Sequence, residues 1–221
     1  MVDIAANVKR ILAELPPGVT LLAAVKGRTA GEVAAAVEAG VSIVGANYVQ
    51  EAERLRPGVP GPVAWHLIGH LQRNKVRRAV RLFDLIETVD SVALAAAIDR
   101  CSREIGRVMP VLLEVNSARE PQKAGVLPED VEPLLRQIAS LPGLRVEGLM
   151  TMGPAAEDPE VLRPFFRLTY ELYRHLGGLG IAGVRMRYLS MGMTSSYRVA
   201  VEEGANLVRI GTLIFGPRPA G

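Results

Sequence analysis

A lysine follows directly after five apolar residues in the stretch TLLAAVKGRT, residues 20–29. The apolar run, residues 21–25, has the length and composition of a buried strand, so Lys26 stands at the carboxyl end of that strand. We expect such a lysine to lose hydration at an apolar opening, which lowers its pKa and leaves a neutral amine that can attack a carbonyl carbon. The alternative is a lysine whose stem follows the strand end while its ammonium group stays in water.

Two segments near the end of the chain carry glycines and hydroxyl groups that suit a phosphate. In LSMGMTSSYR, Thr194 and Ser195 stand where a helix over residues 194–203 is predicted to begin, and main-chain N–H groups at such a start bind anions. In RIGT, Gly211 and Thr212 follow another apolar run. The hydroxyl groups of the first segment could instead simply cap the helix. An amine facing an anion site would suit pyridoxal phosphate, or a sugar phosphate in a Schiff-base aldolase.

The elements that must position these groups alternate between short apolar runs and helical patterns. The sequence predicts eight strands, at residues 21–25, 42–45, 64–68, 85–89, 111–115, 146–150, 186–190 and 207–210. Helices are predicted between them, including one that opens with a capping box of Thr29 and Glu32, one that begins at Ser91, and the ranges 130–141 and 160–176.

This alternation predicts a single (β/α)8 barrel of the TIM type over residues 1–221. A doubly wound open sheet is the alternative, but no GxGxxG motif follows the first strand. In a barrel the carboxyl ends of the strands meet at one mouth, and the loops after strands seven and eight are the recurrent phosphate site. The polar or otherwise notable residues at those ends are Lys26, Asn47, Tyr48, His66, Asn116, Ser190, Met191 and Arg209.

Composition excludes several other classes of protein. The chain has 221 residues, 49% hydrophobic, with 26 basic against 23 acidic residues, which is ordinary for a folded protein and gives a formal charge of only +3. The basic cluster at residues 73–81 is more typical of a solvated helix face than of a nucleic-acid site. One cysteine and three histidines without ligand spacing predict neither a disulfide nor a metal site. Without a signal-peptide pattern or an apolar run of about 18 residues, we expect a cytoplasmic protein with no membrane partner.

Seven motifs together resemble one known family. They are AVKGRT, GANYVQEA, WHLIGHLQRNKVR, LEVNSAREPQKAGV, GLMTMG, LSMGMTSSY and VRIGTLIFGPR. In the same order and over nearly the whole chain, they resemble the pyridoxal phosphate homeostasis proteins, the YggS-like family. The resemblance implies a barrel of the alanine racemase N-terminal type that binds pyridoxal 5'-phosphate (PLP), with Lys26 matching the lysine that forms a Schiff base with it.

The same matching implies roles for further residues. Those that fall in the phosphate-binding segments are Ser190, Met191, Thr194, Gly211 and Thr212, with Ser195 as an additional candidate. Asn47 falls in the motif that lines the cofactor, and Arg209 is expected near the pyridine ring. Two positions depart from the family pattern, because Ala46 stands where the family has Glu and Ser196 where it has Asp. Those departures put in doubt any role that either acid would have.

The resemblance implies a carrier or regulator of PLP and amino-acid balance rather than an enzyme. We expect a monomer that exchanges PLP with apo-enzymes or with the free pool. A PLP-dependent amino-acid racemase is the alternative, but a racemase needs a second base, which its relatives take from an additional β domain. Only six residues follow Phe215, so we expect no such domain, and Tyr48 or His66 would have to substitute. A charged Arg209 at the pyridine nitrogen would leave that nitrogen unprotonated and disfavour transamination.

Overall fold

Eight parallel strands close into a barrel in the computed structural model, which describes residues 2–217. The strands are β1 Thr20–Ala24, β2 Ile43–Ala46, β3 Ala64–Leu67, β4 Leu85–Val89, β5 Met109–Val115, β6 Leu144–Thr151, β7 Val184–Ser190 and β8 Leu207–Ile210. Each strand pairs with its successor, and β1 pairs with β8 through Thr20 opposite Leu207. The predicted barrel is confirmed with all eight strands, and the closing pair excludes the open sheet.

Helices follow the strands and cover the outside of the barrel. They are α1 Ile4–Glu14, α2 Ala30–Glu38, α3 Val49–Leu55, α4 Val76–Leu82, α5 Val92–Arg103, α6 Val131–Ile138, α7 Arg163–Gly178, α8 Tyr197–Glu202 and α9 Thr212–Phe215. The capping box at the start of α2 is confirmed, since Thr29 and Glu32 exchange both hydrogen bonds. Ser91 caps α5 as predicted. Within residues 2–217 no helix is both long and apolar enough to cross a membrane.

Two predicted helices differ from the observed ones at their starts. The range 160–176 begins as a 3-10 turn, Pro159–Leu162, before α7, because Pro164 lacks an N–H and is tolerated only in the first turn of a new helix. The predicted helix at 194–203 is shorter, since α8 begins at Tyr197. The N–H groups of Ser196 and Tyr197 both donate to the carbonyl of Met193, so a turn precedes the helix.

Side chains along each strand alternate between the outside and the inside of the barrel, and this alternation separates two apolar layers. Leu21, Ala23 and Val25 belong to the large core between the barrel and its helices, whereas Leu22 packs inside the barrel with Leu207 and its neighbours. On several strands the next inward position toward the carboxyl end is polar or charged and buried. These residues include His66, Glu87, Ser190 and Arg209. The barrel therefore has an apolar floor and a polar upper layer beneath its mouth.

Candidate cofactor site

A cavity of about 430 Å³ opens at the carboxyl ends of the strands. It is lined by Ala24, Lys26, Arg28, Asn47, Ile68, Met152, Met193, Thr194, Ser195, Arg209, Gly211 and Thr212. Seven of the residues singled out from the sequence therefore meet there, although they come from both ends of the chain. The side chains of Tyr48, His66, Ser190 and Met191 do not line it, and Asn116 lines a neighbouring cavity.

Lys26 lies two residues beyond the end of β1 and is exposed. Its Nζ atom is 5.5 Å from the centroid of the Tyr48 ring, and Tyr48 is itself 52% exposed at the mouth. The expected loss of hydration at Lys26 is not found, because the apolar residues that precede it are buried below the mouth while its stem extends past them. The ring of Tyr48 therefore serves as a partner for the ammonium group rather than as a group inside the cavity.

Glu51 fixes the loop that carries Lys26. Its Oε1 atom accepts a hydrogen bond from the N–H of Gly27 at 3.0 Å, and its Oε2 atom accepts one from the N–H of Asn47 at 2.9 Å. One buried carboxylate in the first turn of α3 thus joins the loops after β1 and β2. Glu51 was not predicted from the sequence, where the available signal was an acid in the first turn of a helix that directly follows Asn47 and Tyr48.

The segments after β7 and β8 present donors at the other side of the cavity. Within residues 2–217, the N–H groups of Thr194, Ser195, Gly211 and Thr212 donate to no main-chain carbonyl. Ser196, where the family has Asp, is buried and its Oγ accepts a hydrogen bond from the N–H of Met193 at 3.1 Å. This serine shapes the turn before α8, and the N–H groups next to it stay available to an anion.

Four buried side chains form a continuous chain of hydrogen bonds under the cavity. Arg209 Nη1 donates to Ser190 Oγ at 2.6 Å, and Ser190 Oγ donates to Glu87 Oε2 at 2.6 Å. The second oxygen of Glu87 is 2.8 Å from Nδ1 of His66. Nδ1 of His66 is the donor in this contact in the tautomer that carries its proton on that nitrogen.

These hydrogen bonds determine which groups Ser190 and Arg209 can still offer to a ligand. The single hydroxyl proton of Ser190 points to Glu87, so this side chain has no proton to offer to a ligand. Arg209 also donates from Nη2 to the carbonyl of Thr151 at 2.8 Å, which holds its guanidinium across the barrel with one edge on the cavity. Burial lowers the pKa of Arg209 from its ordinary value, and the carboxyl groups of Glu87 and Glu114 oppose that shift.

The remaining predicted residues are set apart from the cavity. His66 is buried within the barrel, bonded to Glu87 and in edge contact with the ring of Tyr188, their centroids 6.1 Å apart. Met191 is buried in the core outside the barrel, and Ala46 lies in the same core, so its departure from the family does not alter the cavity lining.

Glu87 and Glu114, two acids within the strands β4 and β5, were also not predicted as site residues. The available signal was an acid interrupting an apolar run, in LIETV and in VLLEV. In the described part of the chain, no group of three or more His, Cys, Asp or Glu side chains is arranged to hold a metal ion.

Comparisons with known proteins agree with this architecture. The model of the alanine racemase N-terminal domain family matches residues 2–219. The pyridoxal phosphate homeostasis protein of Aquifex aeolicus is 41% identical over 180 residues, covering 81% of this chain and 78% of that protein. The pyridoxal phosphate homeostasis protein of Escherichia coli K12 is 37% identical over 214 residues, covering 92% of this chain and 87% of that protein.

Solved structures give the same grouping. PipY from Synechococcus elongatus PCC7942, solved with PLP bound, superposes with a TM-score of 0.89 at 35% identity, covering 97% of this chain and all of that one. Alanine racemase from Clostridium difficile 630 shares only the fold, at 18% identity and a TM-score of 0.75, with 99% of this chain matched to 56% of the racemase. The closed barrel, the family model and the relatives over most of the chain together show that this chain belongs to the pyridoxal phosphate homeostasis protein family, built on the alanine racemase N-terminal fold.

Proposed function

We propose that this chain binds PLP at Lys26 and acts in PLP homeostasis, holding the cofactor for exchange rather than using it for catalytic turnover. The observation that carries the proposal is the shared cavity, in which Lys26 lies with Arg209 and with main-chain donors after β7 and β8. A homeostasis role is supported by the names of the relatives and by the structure of PipY with PLP bound.

The residues present fit PLP. The N–H groups of Thr194, Ser195, Gly211 and Thr212 supply four donors suited to a phosphate. A Cβ atom at position 211 would lie 3.1 Å from the carbonyl oxygen of Ala24, so glycine keeps this side of the cavity open. When bound, PLP supplies an aldehyde that condenses with an amine and a conjugated ring that absorbs visible light.

Each cavity residue then has a distinct role toward the cofactor. Lys26 would provide the amine, while Arg209 and Asn47, which line the same cavity, would hold the pyridine ring. Ser190 acts through Arg209, to which it is bonded, rather than through the phosphate. Met191 contributes packing behind the phosphate loop. A charged guanidinium has no acceptor for a hydrogen bond from a protonated ring nitrogen, so Arg209 at that nitrogen would keep it unprotonated. The arrangement therefore favours holding the cofactor over transamination.

We extend the proposal to the domain organisation, cellular location, oligomeric state and partners of the protein. It works as one PLP-binding domain, in the cytoplasm and as a monomer, and passes PLP to apo-enzymes that depend on it. These statements rest on the homeostasis names of the relatives and on a cavity that opens at an exposed mouth. The rate of PLP transfer to an apo-enzyme, compared with its release into buffer, tests delivery, because equal rates would indicate storage alone.

The test of PLP binding is reconstitution of the purified chain. We expect a visible absorbance band that is lost in Lys26→Ala. Borohydride should reduce the C=N bond in the parent chain, abolish the visible band and leave the cofactor covalently attached to Lys26. Lys9→Ala, which removes an exposed lysine on α1, should keep the band unchanged. No visible band in the reconstituted parent chain would overturn the proposal and would leave a Schiff-base aldolase without PLP as the better reading.

The racemase alternative has its own test. His66 is committed to Glu87 and does not line the cavity, so no second base of that kind faces a substrate there. We expect no incorporation of solvent deuterium at the α-carbon of amino acids incubated with the PLP-loaded chain. Incorporation at catalytic turnover that is lost in Lys26→Ala would replace the carrier function with racemisation.

A further inference from the structure

A second cavity, of about 350 Å³, lies beside the proposed cofactor cavity. Met152 and Met193 line both cavities, so the two share a wall at the barrel mouth. Lys26 and Arg209 do not line the second cavity. The other residues that line it come from the end of β5 and from the loops after β5 and β6.

Most polar groups in this second cavity are already bonded within the protein. Asn116 donates from Nδ2 to the carbonyl of Glu120 at 2.8 Å and accepts the N–H of the same residue at 3.1 Å. Ser117 Oγ lies 2.9 Å from Thr151 Oγ1. Lys123 donates to the carbonyl of Gly153 at 3.1 Å and forms an ion pair with Glu120. These side chains hold the walls in place.

Glu114 is the exception. It lines the cavity, is only 8% exposed, and its Oε2 atom has no hydrogen-bond partner within residues 2–217. A buried carboxyl oxygen without a donor is rare in folded proteins and indicates strain or a binding role. The nearby cations are occupied, because Arg209 donates to Ser190 and Thr151.

We propose that this cavity binds the primary ammonium group of a small apolar amine or amino acid, with Glu114 as the acceptor. An ammonium group is compact and carries three donors, so it can bond the carboxyl group of Glu114 from within the cavity that this side chain lines. The remaining lining is mostly apolar and small, from Val115, Ala118, Ala124, Met152, Pro154, Ala155 and Met193. Such walls suit an aliphatic chain of a few carbons.

The charges around Glu114 set a pH dependence. They are Asp90 after β4, Arg209 on β8, and Lys123 with Glu120 after β5. Burial and the charge of Asp90 raise the pKa of Glu114 to about 7, against an opposing effect of Arg209. An ammonium group binds the ionised carboxylate, so affinity should increase roughly tenfold between pH 6 and pH 8, while an alkylamine stays protonated throughout.

The experiment measures binding of butylamine, L-norvaline and pentanoate to the full chain by calorimetry at pH 8, with no PLP added. The result does not depend on the proposed cofactor function, because that function needs PLP and this measurement does not. We expect butylamine and L-norvaline to bind and pentanoate not to bind. Tighter binding of L-norvaline identifies an amino acid as the ligand class, and tighter binding of butylamine identifies a simple amine; either supports the proposal.

Two variants locate the site. Glu114→Gln should weaken butylamine binding at least tenfold and abolish its pH dependence, while Glu171→Gln, the same change at an exposed position on α7, should leave both unchanged. Ala124→Leu places extra volume in the cavity from an exposed position and should also block binding in a folded chain. The proposal is overturned if the parent chain binds no amine, if pentanoate binds as tightly as butylamine, or if Glu114→Gln binds as the parent does.

Discussion

Ser190 Oγ accepts a hydrogen bond from Arg209 Nη1 at 2.6 Å inside the barrel, although 19 positions separate the two residues in the chain. Both residues are buried, and the serine passes its own proton on to Glu87. The guanidinium that reaches the cavity is therefore held from below by a hydroxyl and, through it, by a buried carboxylate.

Ser190→Ala should weaken PLP binding three- to tenfold without removing the visible band. The substitution leaves Arg209 without one of its acceptors, and the lost buried hydrogen bond costs about 1–2 kcal/mol. Titration of the band measures affinity, and urea unfolding measures stability. Because Ser190 and Glu87 belong to one chain of bonds, the double variant with Glu87→Gln should be non-additive by at least about 0.5 kcal/mol. Additive effects on affinity would show that Ser190 does not position Arg209.

Glu51→Gln should disorder the loop that carries Lys26. An amide can still accept from one of the two N–H groups of Gly27 and Asn47, but it cannot accept at both ends as the carboxylate does. We expect slower formation of the Schiff base with PLP and a several-fold weaker affinity, measured by stopped-flow absorbance. Glu53→Gln is the matched control, because Glu53 lies on the same helix but bonds Arg78 instead of the loop that carries Lys26. Equal rates in both variants would contradict the role of Glu51.

Glu114→Gln should stabilise the free chain at pH 8 more than at pH 5. The folded-state pKa of Glu114 is raised to about 7, so the folded chain holds a proton that the unfolded chain releases near its ordinary value. Stability is therefore lost as pH rises from about 4.5 toward 7, and the loss is complete above 7, up to about 3 kcal/mol. Urea unfolding of both chains at the two pH values measures the difference, and a pH-independent difference would refute the shift.

Tyr197→Phe should make the chain more sensitive to acid. Arg198 and the Tyr197 hydroxyl both donate to Glu14 and hold its pKa at about 2, below its ordinary value of 4.5. A depressed pKa stabilises the fold above the unfolded value, and this contribution is lost as pH falls from about 4.5 toward 2. The variant should lose part of that contribution, so its acid unfolding midpoint should rise. An unchanged midpoint in circular dichroism would show that the tyrosine does not contribute.

Local patterns in the amino-acid sequence were enough to predict the strands and helices and the chemical groups at their ends. Apolar runs at eight places predict strands because a strand in a parallel sheet is buried on both faces, and the capping pair of Thr29 and Glu32 is a local interaction between neighbours in the chain. Lys26 and the glycine-rich segments follow strand ends, so a closed barrel brings them to one mouth.

Which side chains meet and which remain in water depends on contacts between distant parts of the chain, and the folded barrel was needed to show them. Lys26 is exposed because the direction of its stem past the barrel rim depends on the loop that Glu51 fixes, and that contact crosses from α3 to the loop after β1. Glu87 and Glu114 come from strands far from Arg209 in the chain, and the barrel interior sets their burial and partners. Long-range contacts inside a closed sheet depend on register and on the inward or outward direction of each residue, which periodicity indicates only approximately.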